Sequence, residues 1–172
     1  QIHDQMAFED AIKVAIEFAE KDKETLVIIT ADHATGGPSL NGAGNEYIDA
    51  TKGLVSIANH KSSYGPLMDA IGKTVTEDSV KSAIEAKLGI QLKANEATIV
   101  TDALNGKSIF SALELQGGKQ SALALILQNY TTVGWTSLNH TSDHLLVTSY
   151  GSGSEQVGGF TKNVEFFAMM LS

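Results

Sequence analysis

Apolar residues recur at helical spacing from Phe8 to about Asp22, where Phe8, Ile12, Ala15, Ile16 and Ala19 form one stripe and Glu and Lys fill the other side. This pattern predicts an amphipathic helix. Beyond the charged turn Lys21-Asp22-Lys23-Glu24 the period changes, and the unbroken run Leu26-Val27-Ile28-Ile29 reads as a short strand covered on both faces, as in a parallel sheet of an α/β protein. A helix running into such a strand is half of a βαβ unit, so the fold is expected to be cut at its N-terminus.

After Gly36-Gly37-Pro38 the Gly/Asn-rich stretch from Asn41 to Asn45 signals turns, and poor periodicity from Tyr47 to Tyr64 predicts a loop. From Pro66 to Tyr130 the chain reads as successive short helices. Thr76-Glu77-Asp78-Ser79 caps one that carries Val80, Ala83, Ile84 and Leu88 and stops at Gly89; a second covers Asn95 to Leu104 and stops near Asn105-Gly106. Lys107 to Leu115 and Lys119 to Asn129 supply two more, separated by Gly117-Gly118. Strand-like sequence returns at Val133 to Thr136 and at Leu145 to Tyr150, and a helix is expected from about Asn163 to Leu171. The expected class is α/β, with residues 1–42 and 132–172 forming a partial sheet flanked by helices and residues 43–131 a mainly helical insertion.

Composition narrows the functional classes. A net charge of −8 argues against a nucleic-acid partner, which needs a basic face, and no run is long and apolar enough to span a membrane. All 12 basic residues are Lys, so Arg, the usual bidentate reader of phosphate, is absent. With no Cys there are no disulfides and no thiolate metal sites. The first residue is Gln1, with neither initiator Met nor signal sequence, so processing or truncation is expected to have removed what came before.

Candidate chemistry concentrates where the first strand ends. Thr30-Ala31-Asp32-His33-Ala34-Thr35-Gly36-Gly37 presents a carboxylate, an imidazole and two glycines, and ligands of open α/β sheets bind beyond the carboxyl ends of strands. Asp and His after a strand also fit a plain turn, and Gly36-Gly37 lacks the Lys-Ser/Thr of a phosphate-cradling loop. The loop Asn139-His140-Thr141-Ser142-Asp143-His144 holds two His four residues apart; the apolar and β-branched residues after them favour a strand, which separates the two side chains. His60, in a polar run, reads as a surface residue. No Ser lies in a Gly-x-Ser-x-Gly elbow, and Gly151-Ser152-Gly153-Ser154 has the wrong spacing for one.

Two of these blocks resemble the motifs of bacterial alkaline phosphatases. The apolar strand ending in Thr30-Ala31-Asp32-His33, then Thr35-Gly36-Gly37, is similar to that family's second-metal motif. Gly134-Trp135-Thr136-Ser137-Leu138-Asn139-His140-Thr141, with Tyr150-Gly151, Gly158-Gly159 and Asn163 downstream, resembles its last metal-ligand block and C-terminal end. The order, the helix around Phe8 to Ile12 and the intervening helical insertion are like those of Bacillus-like members.

The resemblance implies a phosphomonoesterase with two zinc ions and a magnesium ion. Asp32 and His33 would bind the zinc that activates the nucleophile and His140 the zinc that stabilises the leaving alkoxide; the Ser nucleophile, the phosphate-clamping Arg, the magnesium ligands and the remaining zinc ligands would lie before residue 1. Ser142, His144 and Ser152 depart from the usual residues beside that last block. The implied partners are a phosphate monoester substrate, the N-terminal part of the same protein and a possible second copy in a homodimer, with no nucleic acid and no membrane; the implied location is periplasmic or extracellular. A noncatalytic metal-binding or interaction module of the same fold, or a related phosphodiesterase or phosphomutase, is the alternative.

Overall fold

The computed structural model describes residues 2–41, 43, 48–107 and 119–171. In chain order the elements are α1 (Ile2–Asp22), β1 (Leu26–Ile29), β2 (Ala34–Thr35), β3 (Pro38–Leu40), α2 (Thr51–Ala58), α3 (Tyr64–Ile71), α4 (Glu77–Leu88), α5 (Ala94–Leu104), α6 (Ser121–Thr131), β4 (Val133–Trp135), β5 (His140–Thr141), β6 (Thr148–Gly151) and α7 (Phe166–Met169). Among the described residues, helices and three small two-stranded sheets, β1 with β6, β2 with β5 and β3 with β4, make the mixed α/β character expected of the sequence. The chain divides into two compact units, residues 1–34 with 142–172, and residues 35–141.

In the first unit α1 lays one stripe on the β1/β6 pair: Ile12, Ala15 and Ile16 are half-buried and Ala19 is buried. The partner of β1 is a correction to the sequence reading. β1 pairs antiparallel with β6, Leu26 opposite Gly151 and Ile29 opposite Thr148, and its four residues are half-buried rather than enclosed on both faces. An apolar run reports that a strand is covered, but not by which strand or in which direction. Gly151 lets the two strands close up. Its φ is +94°, and a Cβ there would lie 2.2 Å from the Thr25 carbonyl oxygen, a clash that only Gly avoids. Two further segments differ from expectation: the strand expected over Leu145 to Tyr150 is Thr148–Gly151, and the terminal helix is a 3-10 turn at Asn163–Glu165 followed by the brief α7.

The hydrophobic core of the second unit lies among α3, α4, α5 and α6, with Leu67, Val80, Ile84, Val100 and Leu123 fully buried. Local signals placed α4 well. The Thr76 hydroxyl accepts from the Ser79 amide at 3.1 Å, the Ser79 hydroxyl accepts from the Thr76 amide at 3.0 Å, and Gly89 ends the helix in the left-handed conformation. α5 and α6 also fall where the spacing predicts. The helix expected over Lys107 to Leu115 lies, beyond Lys107, outside the described residues.

The segment from Tyr47 to Tyr64 is a second correction, because it contains α2. This helix packs on α6 through Gly53, where a Cβ would stand 2.3 Å from the Thr131 carbonyl oxygen. Tertiary contact thus stabilises a helix of 8 residues, too short to persist by itself in water. α6 ends at the buried Thr132, in a left-handed conformation that turns the chain into β4. β4 then pairs antiparallel with β3, Pro38 opposite Trp135 and Leu40 opposite Val133.

A buried polar cluster joins α5 to α6. Glu96 is 4% exposed, yet its carboxylate accepts hydrogen bonds from the Lys93 amide at 3.0 Å, from Asn129 Nδ2 at 3.0 Å and from the Tyr130 hydroxyl. Burial pushes the Glu96 carboxyl up, but the bonds from Tyr130, Lys93 and Asn129 outweigh it and hold the group below its ordinary 4.5. Burial, reinforced by the acceptor Glu96, drives the Tyr130 phenol up to about 12.

Candidate functional site

Asp32 and His33 follow β1 in the bend that leads to β2. The bend is fixed locally. The His33 amide donates to Asp32 Oδ1 at 3.0 Å, an aspartate bonding to nearby backbone as turns favour, and His33 Nδ1 lies 3.2 Å from the Ala34 carbonyl oxygen. A carbonyl only accepts, so in that contact Nδ1 is the donor.

His33 Nε2 stands 3.3 Å from Asp32 Oδ2. Either a proton on Nε2 or a cation held by both atoms bridges such a separation. The spacing suits a metal: donors ~2.0–2.1 Å from a tetrahedral zinc ion are about 3.3 Å from one another, and imidazole nitrogen with carboxylate oxygen is a donor pair that zinc takes. The pair is open to solvent, with the Asp32 side chain 82% and the His33 side chain 40% exposed. A backbone-carbonyl contact at Nδ1 fixes the orientation of the imidazole ring, as ligating histidines require. Asp32 and His33 therefore fit half of a zinc shell.

His140 belongs to the second unit, in β5, and is exposed. Its approach is held by backbone. The Gly36 amide donates to the Asn139 carbonyl at 2.9 Å, the Thr136 and Ser137 amides donate to the Gly36 carbonyl at 2.9 and 3.2 Å, and the Thr136 hydroxyl donates to the Gly37 carbonyl at 2.8 Å. The glycines of one sequence block thus pair with the second block. Gly36 is required there, since its φ is +76° and a Cβ would stand 2.7 Å from Trp135 Cε3.

The other histidines diverge from simple readings. His144 stacks edge-on against Phe160, ring centroids 5.5 Å apart, a pairing that no spacing in the sequence signals. His60, expected at the surface, is half-buried after α2, its Nε2 shielded from solvent. Among the described residues no group of three or more His, Asp or Glu stands close enough together to hold a metal ion. None of the described helices is long and apolar enough to cross a membrane.

The family model described as alkaline phosphatase matches residues 1–172. The chain belongs to the alkaline phosphatase family. It is 33% identical over 160 residues to alkaline phosphatase 4 of Bacillus subtilis, covering 92% of this chain and 31% of that protein. To alkaline phosphatase 3 of the same organism it is 33% identical over 163 residues, covering 92% of this chain and 32% of that protein. Less than two thirds of either relative is therefore spanned. The crystal structure of Thermus thermophilus alkaline phosphatase superimposes with a TM-score of 0.82 at 25% identity, over 97% of this chain and 37% of that one. A cold-active alkaline phosphatase from Shewanella sp. matches with a TM-score of 0.67 at 24% identity, over 97% of this chain and 38% of that one, a likeness of fold alone.

Proposed function

We propose that this chain is the C-terminal part of a zinc-dependent alkaline phosphatase that hydrolyses phosphate monoesters, with Asp32, His33 and His140 as metal ligands. The observation that carries this reading is the 3.3 Å separation of His33 Nε2 from Asp32 Oδ2, the spacing of two donors on one tetrahedral ion. In a two-metal site the ions stabilise the attacking and leaving oxygens of an in-line displacement. The contribution of this chain is to hold and orient: Asp32 presents a carboxylate oxygen, Ala34 fixes the His33 ring through Nδ1, and β5 presents His140.

The chemistry also needs an activated nucleophile and a cation on the nonbridging phosphate oxygens. This chain has no Arg. We assign the nucleophile, the clamp, the magnesium ligands and the rest of each zinc shell to the remaining part of the polypeptide, and place the whole protein in the periplasm or outside the cell, as its family resemblance implies.

Hydrolysis of p-nitrophenyl phosphate at alkaline pH with zinc and magnesium tests the reading, on the chain alone and on the chain joined to the remainder of its polypeptide. The chain alone should stay at background and the joined protein should turn over. His33→Ala and His140→Ala in the joined protein should each cost at least the roughly 10–100-fold that outer-shell partners of a metal site cost. Turnover by the chain alone, or joined variants as active as the parent, would overturn it. Zinc binding without turnover would leave the noncatalytic module.

A further inference from the structure

We infer that Thr136 is a positioning residue for His140: its amide and hydroxyl seat the loop that carries the imidazole on the successive carbonyls of Gly36 and Gly37. This rests on the proposed reading of His140 as a zinc ligand. The loop Thr136-Ser137-Leu138-Asn139 is fixed at both ends. At its start the Thr136 amide donates to the Gly36 carbonyl at 2.9 Å and the Thr136 hydroxyl to the Gly37 carbonyl at 2.8 Å; at its end the Asn139 carbonyl accepts from the Gly36 amide at 2.9 Å. Between them the Ser137 hydroxyl accepts from the Asn139 amide at 3.0 Å, so the loop is closed on itself and its seating depends on the outer bonds. All of these residues belong to the second unit.

In an extended strand adjacent carbonyls point opposite ways, so two of them meet one threonine only where the backbone turns out of that path. Gly36 and Gly37 have φ of +76° and +51°, a conformation that residues with a side chain avoid. The glycine pair therefore does more than turn the chain: it offers two acceptors to the residue four before His140.

The two motif histidines differ in what orients them. His33 is held by its neighbours, through the Asp32 and Ala34 contacts, whereas His140 follows a loop whose anchor, Gly37, lies 99 residues from Thr136. The backbone part of that anchor outlasts most substitutions; the Thr136 hydroxyl bond does not. Thr136 is exposed, so water can replace the hydroxyl as partner of Gly37 and the bond adds little to folding. Its value is directional. Two bonds from one residue fix an angle as well as a distance, and a site group must be held to about 0.5 Å and about 10–20° of its working geometry.

The test uses the chain joined to the remainder of its polypeptide and loaded with zinc. Competition with a chromophoric chelator gives the affinity of each ion, and circular dichroism gives the melting temperature. His140→Ala and His33→Ala identify the ion that each histidine holds. Thr136→Val keeps the branched shape without the donor, and Thr136→Ser keeps the donor. Thr136→Val should weaken the His140 ion by roughly 10–100-fold, the cost typical of outer partners of a metal site, while the His33 ion and the melting temperature stay close to the parent's. Thr136→Ser should bind both ions as the parent does. If Thr136→Val holds both ions like the parent while His140→Ala loses one, the positioning role falls and the metal reading stands. Weakening of both ions together, loss of the melting transition, or a Ser variant as weak as the Val variant would make Thr136 a structural residue and equally overturn the inference. A His140→Ala protein that keeps both ions would sink the metal reading, and this inference with it.

Discussion

The Gly36 amide donates a 2.9 Å hydrogen bond to the carbonyl of Asn139, tying the glycines that close one motif to the residue before His140 in the other. Gly36 makes this bond with φ at +76° and with the Trp135 ring where its Cβ would be. Gly36→Ala should therefore destabilise the second unit by about 2–4 kcal/mol, from left-handed strain plus overpacking. Trp135 is the single Trp of the chain, so urea unfolding followed by its fluorescence reads this contact directly. A midpoint equal to that of the parent would show that the turn yields without cost.

Gly53 inverts an ordinary expectation. In an exposed helix Gly→Ala stabilises by roughly 0.5–1 kcal/mol. Here the added methyl meets the Thr131 backbone carbonyl at 2.3 Å, so α2 must move off α6, and the net change should be a loss of about 1–3 kcal/mol. Differential scanning calorimetry of Gly53→Ala decides the sign. A raised melting temperature would mean that α2 does not rest on α6 in solution.

The Glu96 cluster sets limits at both ends of the pH scale. Because the Glu96 carboxyl lies below its ordinary 4.5 in the folded state, its stabilisation is complete above about 4.5 and fades as pH falls through the lower folded value. Because the Tyr130 phenol is raised from 10.0 to about 12, its stabilisation is complete below 10 and fades as pH rises toward 12. Glu96→Gln should cost about 1–3 kcal/mol near neutral pH and flatten the acid limb. Urea midpoints taken from about pH 3 to pH 11 test both limbs; a variant that retains the parent's acid limb would place its origin elsewhere.

Zinc should bind the isolated chain weakly, because a partial shell gains little from a single carboxylate and imidazole pair. Calorimetric titration should show the remaining heat disappear in His33→Ala and in Asp32→Asn, and EDTA should reverse any rise in melting temperature. Binding unaffected by both substitutions would exclude this pair as the ligands.

How much of this protein is legible in its sequence depends on the range of the interaction involved. The cap of Thr76 on Ser79, the stop at Gly89 and the stripe of Ile12, Ala15, Ile16 and Ala19 are properties of a few adjacent residues, so α4 and α1 could be located from spacing alone. The Asp32-His33 and His140 blocks stand out through their resemblance to family motifs, since by spacing alone they also fit a turn and a polar loop. Other features join residues far apart in the chain. The antiparallel partner of β1 is β6, and β1 is as apolar as a strand in a parallel sheet would be; α2 forms against Thr131 through a glycine that local propensity counts against a helix. Glu96, polar and mid-sequence, is buried because Tyr130 and Asn129 arrive on α6 to satisfy it. The 3.3 Å approach of His33 Nε2 to Asp32 Oδ2 belongs to the same class despite their adjacency: neighbouring side chains adopt many rotamers, and the backbone bend with the Ala34 carbonyl selects this one. Local sequence thus determined where elements begin and end, and the tertiary structure decided what covers them, because each covering contact is made by a partner that the chain supplies only after it has folded back.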